Sequence, residues 1–162
     1  MDDRQMMLAG TPLVERSLHL GGADTAVLEA GDGPPLVLLH GGIESGGAYW
    51  APVATALTER YRLVVPDVPG LGASEPLHRL DVNIFSRWFT DLLHRTGIER
   101  PTLVAHSLLG SMAARFAVDR GDALGRLVLY GAPAVGPYRM PMRLRYVAAR
   151  AALRPTLRNR AR

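Results

Sequence analysis

The chain has 162 residues, 48% of them hydrophobic, with 17 glycines and 12 prolines. That is one domain's worth of chain with enough apolar content for a core, which excludes a disordered polypeptide. Cysteine is absent, so disulfides and thiolate metal sites are excluded, and no apolar run approaches the length of a transmembrane helix. The formal net charge of +4 hides an asymmetry, because all 19 basic residues are Arg and eight of them (139, 143, 145, 150, 154, 158, 160 and 162) fall after position 138, where there is no acid. The other 11 face 15 acids, so residues 1–138 carry −4. The basicity belongs to the tail and is weak ground for a nucleic-acid partner.

The opening M-D-D-R-Q-M-M-L-A-G carries acids and no long apolar core, unlike a signal peptide, so a soluble cytoplasmic protein is the expectation. Val14 to Leu20 and Thr25 to Glu29 read as an antiparallel pair of strands joined by a Gly-Gly connection. After the turn residues Gly31 to Pro35, Leu36 to Leu39 is a continuous apolar run, the mark of a strand buried on both faces. It ends in His40-Gly41-Gly42. A helix is predicted from about Ala48 to Arg60, with Trp50, Val53, Ala54 and Leu57 facing the sheet. Arg62 to Val65 is the next buried strand and runs into Asp67-Val68-Pro69-Gly70-Leu71-Gly72-Ala73-Ser74. Another helix follows from about Asp81 to Thr96, stopped by Gly97. Thr102 to Ala105 reads as a strand that meets Ser107 and then a helix-favouring run. Arg126 to Tyr130 is a further strand, and 10–15-residue helical stretches between strands fit right-handed crossovers in one parallel sheet.

Strand, Ser on a sharp turn, then helix is the layout of a nucleophile elbow. The turn forces the Ser into strained backbone angles and favours small residues two before and two after it. Ser107 is therefore the candidate nucleophile. Open α/β sheets place ligands beyond the carboxyl ends of their strands, and His40-Gly41-Gly42 and Asp67 to Ser74 lie at the ends of two other predicted strands. The glycine-rich stretches carry no Lys of a P-loop and no G-x-G-x-x-G, which argues against nucleotide binding.

These three motifs resemble those of the α/β-hydrolase superfamily, from Val14 to about Pro141. Ala105-His106-Ser107-Leu108-Leu109-Gly110 is similar to the superfamily's G-H-S-x-G-G elbow, His40-Gly41-Gly42 to its H-G-x oxyanion loop, and Asp67 to Ser74 to its D-x-P-G-x-G-x-S loop. Leu109 departs from the pattern, standing where the family has Gly. The resemblance implies an α/β-hydrolase fold, a mostly parallel sheet with helices on both faces, with its last strands and cap missing here. It implies residues 1–138 as the N-terminal part of the core and 139–162 as the Arg-rich helical start of a cap or lid. It also implies a serine hydrolase in which Ser107 attacks and the backbone N–H groups of Gly42 and Leu108 hold the oxyanion. Each such donor is worth roughly 3 kcal/mol in other hydrolases. His40, Gly41 and His106 would support the loops, and no cofactor or metal is implied.

A triad in this fold runs Ser, acid, His along the chain. After Ser107 come only Asp119 and Asp122, beside the elbow helix, and no His. The expectation is a truncated hydrolase, inactive alone, acting in full on a small-molecule ester or a related carbon–carbon or lactone bond. A haloperoxidase-like activity is a family neighbour, whereas dehalogenases and epoxide hydrolases of this superfamily carry Asp where Ser107 stands. The competing reading is a non-catalytic binding module that kept the sheet and lost the triad. No nucleic-acid or membrane partner is expected, although DNA or anionic lipid on the Arg-rich tail is a third reading. The apolar edge at Leu127 to Leu129 invites dimerisation or aggregation.

Overall fold

The computed structural model describes residues 3–42, 45–133 and 142. The predicted 139–162 unit therefore lies outside the described residues, apart from Met142. A short helix, α1 (Asp3–Leu8), precedes a hairpin of β1 (Val14–Leu20) and β2 (Ala23–Ala30). Then come β3 (Pro35–Leu39), α2 (Gly46–Thr58), β4 (Arg62–Pro66), α3 (Val82–Thr96), β5 (Thr102–His106), α4 (Ser107–Arg120), a 3-10 turn (Gly121–Ala123) and β6 (Arg126–Tyr130). The six strands form one sheet in the order β1-β2-β4-β3-β5-β6. From β4 to β6 all pairings are parallel. The antiparallel part is larger than the sequence suggested, since β2 also pairs antiparallel with β4.

The strand period of two sorts the core onto two faces. Val37, Leu39, Val64, Leu103 and Ala105 point into a cluster closed by Phe85, Trp88, Phe89, Ala113 and Phe116 of α3 and α4. Their neighbours Leu36, Leu38, Leu63 and Val65 point the other way, into a cluster with Leu13, Leu28 and Ala54. Helices thus cover both faces, which is why the central strands read as unbroken apolar runs. On α3 the buried residues Phe85, Trp88, Phe89, Leu92 and Thr96 follow helical spacing. The indole N–H of the fully buried Trp88 donates to Thr25 Oγ1 at 3.1 Å, so the largest core side chain leaves no unpaired donor. Asp81 caps α3 by accepting from the Ile84 N–H, and Gly97 ends it in the left-handed conformation.

On α2 the structure corrects two expectations. The helix begins at Gly46, capped by Ser45, two residues before Ala48. Val53 faces solvent at 43% exposure, while Ala51 and Ala54 are buried. Small residues bring this helix close to the sheet, and Trp50 and Leu57 pack against the core from partly buried positions. Among the described residues β6 is a sheet edge, with Val128, Leu129 and Tyr130 each about two-fifths exposed. No described helix is long and apolar enough to cross a membrane.

Candidate active site at the carboxyl ends of the strands

β5 ends at His106 and α4 begins at the next residue, so Ser107 occupies the turn with nothing between strand and helix. Its φ is +54°, and among the described residues only Arg100 is another non-glycine with positive φ. That conformation costs on the order of 1–2 kcal/mol for a residue with a Cβ, so the surrounding packing must enforce it. Ala105 is buried on the strand side and Leu109 is 2% exposed on the helix side. Leu109 does not flatten the turn. It points into the α3–α4 core, and the close approach falls one residue later, at Gly110. A Cβ there would lie 2.8 Å from Ala132 Cβ and 3.2 Å from the Ala105 carbonyl oxygen. His106, at the N-cap of α4, makes no side-chain cap, so no side chain of its own covers the amides of the first turn.

Gly42 lies beside Leu108: a Cβ on Gly42 would stand 3.4 Å from the Leu108 side chain. The structure thus brings the Gly42 backbone next to the residue that follows Ser107. The Gly41–Gly42 segment is held by His40, which is fully buried. The Val68 N–H donates to His40 Nε2 at 3.1 Å, and His40 Nδ1 lies 2.6 Å from the Gly41 carbonyl oxygen. A ring nitrogen that accepts from an amide carries no proton, so this pattern assigns neutral His40 with its proton on Nδ1, donating to Gly41. Both nitrogens are engaged in holding backbone, as expected of a supporting residue.

The Asp67 loop is organised around its own carboxylate. Asp67 is fully buried; Oδ1 accepts the Gly46 N–H at 2.6 Å and Oδ2 the Ala73 N–H at 2.8 Å. Arg4 of α1 places Nη1 2.8 Å from the same Oδ2. Ser74 Oγ donates to the Asp67 carbonyl at 2.6 Å and accepts the Ala26 N–H at 2.9 Å. Gly72 is required beneath this carboxylate, since a Cβ there would collide with Asp67 Oδ2.

His106 stacks against Tyr49 of α2 and Tyr130 of β6, with ring centroids 4.9 and 4.6 Å away and planes within 18° of parallel, and the two tyrosines stack on each other at 6.5 Å, so the three rings form a triangle. The Tyr130 hydroxyl donates to the Tyr49 hydroxyl at 2.7 Å, and Trp50 meets both tyrosines edge-on. The other three histidines lie away from Ser107 in chain position, on β1, the loop after β4 and α3, and all are exposed. Sequence reasoning missed Arg4, Tyr49 and Tyr130. A lone Arg within an acidic N-terminus was the available signal for the first; the tyrosines gave none, because only the fold brings them together.

A family described as alpha/beta hydrolase fold matches residues 34–154. The chain belongs to the α/β-hydrolase fold family. It is 32% identical over 120 residues to a soluble epoxide hydrolase of Corynebacterium sp., covering 74% of this chain and 42% of that protein. It is also 32% identical over 115 residues to a 2-hydroxy-6-oxo-6-phenylhexa-2,4-dienoate hydrolase of Comamonas testosteroni, covering 67% and 40%. An alpha/beta hydrolase fold protein from Burkholderia ambifaria superposes with a TM-score of 0.73 at 31% identity, over 85% of this chain and 51% of that one. The chain spans less than half the length of the curated relatives it matches.

Proposed function

We propose that this chain carries the nucleophile and oxyanion-binding half of a serine hydrolase that cleaves an ester or a carbon–carbon bond flanked by a ketone. The observation that carries this reading is the left-handed Ser107 at the junction of β5 and α4. A non-glycine residue kept in that conformation is a functional signal. In the proposed reaction Ser107 Oγ adds to the substrate carbonyl, and the N–H groups of Gly42 and Leu108 hold the developing oxyanion. Collapse expels an alcohol from an ester, or a carbanion that is protonated as it leaves from a ketone, and water then cleaves the acyl-enzyme. His40 and His106 are not the base in this scheme: the first has both ring nitrogens committed to backbone, and the second packs its ring against Tyr49 and Tyr130. The base and its acid partner are proposed to follow Tyr130 in a protein of the relatives' length, and the present 162 residues are expected to show no turnover.

The relatives divide between epoxide and carbon–carbon bond hydrolases, and Ser107 favours the second. Attack on an epoxide by a carboxylate gives an ester that water can hydrolyse. Attack by a serine gives an ether that water does not cleave, and turnover would stop. An active-site fluorophosphonate tests the reading on a chain that continues through a triad acid and His: labelling at Ser107, lost in Ser107→Ala, supports it. A folded protein that stays unlabelled would leave the non-catalytic binding module.

A further inference from the structure

We propose that Arg4 is a positioning residue for the start of α2, acting through Asp67. His40, just after β3, and Gly46, at the start of α2, are both tied to the loop that follows β4. His40 accepts the Val68 N–H, and the Gly46 N–H donates to Asp67 Oδ1 at 2.6 Å. Asp67 is therefore an anchor for the start of α2. Its carboxylate is fully buried, and a buried ionised carboxylate needs a positive partner. Arg4 supplies it, with Nη1 2.8 Å from Oδ2, the oxygen that also takes the Ala73 N–H. The guanidinium is itself held by Glu15 of β1, through Nε and Nη2. Its fork thus spans two carboxylates, one buried and one at the surface.

A second contact keys the same helix to the same place. Leu8 of α1 lies against Gly47 in the first turn of α2, where a Cβ would be 3.2 Å from Leu8 Cδ2. The N-terminal helix consequently bears on the start of α2 twice, indirectly by charge through Asp67 and directly by the packing of Leu8. Without the guanidinium, Asp67 holds the Gly46 and Ala73 amides with its charge uncompensated. Rotation of the carboxyl toward solvent would then release one of them.

The consequence for catalysis rests on the Ser107–Gly42 reading, but the test does not. Amide hydrogen exchange is measured by NMR on this chain and on Arg4→Met and Arg4→Lys. In Arg4→Met, exchange at Gly46 and Ala73 is expected to rise roughly tenfold or more, with the core-strand amides of Val64 and Leu103 unchanged. In Arg4→Lys the two amides are expected to recover part of their protection, because an ammonium keeps the charge but cannot span both carboxylates. Unchanged exchange at Gly46 and Ala73 in Arg4→Met would overturn the proposal. So would uniform acceleration that includes Val64 and Leu103, or a Lys variant no better protected than the Met one. Selective loosening alongside a Ser107 that never labels would sink the hydrolase reading and leave this one standing.

Discussion

The two halves of the candidate site are built by different physics. On the β3–β4 side, the groups that hold the loops are buried and polar: His40 and Asp67 are fully buried and each bonds the backbone of a neighbouring segment. On the β5–β6 side, the elbow is held by packing and strain. Ser107 sits in a left-handed conformation next to the buried Leu109, and His106 is stacked against two tyrosines, of which Tyr130 is 38% exposed. A hydrogen-bonded brace is directional and fails abruptly when one partner goes, because the others are stranded without water. A packed turn yields gradually, as the side chains around it are trimmed. One proposed oxyanion donor comes from each half, Gly42 from the hydrogen-bonded side and Leu108 from the packed elbow, and the brace suits a donor that must not reorganise during reaction.

The comparison breaks first at Asp67. Asp67→Ala strands Arg4 and the amides of Gly46 and Ala73, and is expected to cost about 3–5 kcal/mol in urea unfolding. A loss below about 1 kcal/mol would mean the polar brace is no stronger than a surface pair. Next is the elbow's tightest approach. Gly110→Val puts methyl groups against Ala132 and the Ala105 carbonyl and is expected to cost about 2 kcal/mol. A neutral result would show that helix and strand separate easily there.

How far the sequence reached follows the same division. The strands from Leu36 onward and the strand–Ser–helix junction were legible, because doubly buried strands and their terminal motifs are local signals. The brace was not. The six residues of α1 are too few for propensity to speak, and the lone Arg4, though a signal in itself, did not point to a partner in the loop after β4. The Tyr49–His106–Tyr130 stack joins residues from α2, β5 and β6, and no periodicity predicts contacts between separate elements. Val53 was misassigned because the apolar residues of α2 fit two overlapping stripes, and alanines, not the larger side chains, decided which one faces the sheet. Leu109 departs from the family's glycine without consequence for the turn, since the need for space sits at Gly110.

Ser107→Gly sharpens the strain side of the comparison. Glycine adopts positive φ freely, so this variant is expected to be more stable than the parent by up to about 1 kcal/mol in urea unfolding, even though glycine is a poor helix residue. Destabilisation would mean that the Ser side chain contributes packing and that the turn is not strained. The smallest effect lies outside the site, at the cap of α3. The Ile84 N–H bond, with Arg79 nearby, holds the Asp81 carboxyl below its ordinary value. A depressed folded-state value stabilises above the ordinary carboxylate range, and the contribution is lost as pH falls through the depressed value. The melting-temperature advantage over Asp81→Asn is therefore expected near pH 7 and should vanish as the pH falls through the depressed value. A gap constant with pH would assign the cap to hydrogen bonding alone.

The most direct test of the proposed chemistry is the site of a phosphonyl adduct. A chain that continues through a triad acid and His is treated with a fluorophosphonate, and the labelled peptide is mapped by mass spectrometry. The account predicts a single adduct on Ser107, absent from Ser107→Ala and slowed when Arg4→Met loosens the start of α2. A folded, unlabelled protein, or an adduct on another hydroxyl such as Ser45 or Ser111, would contradict it.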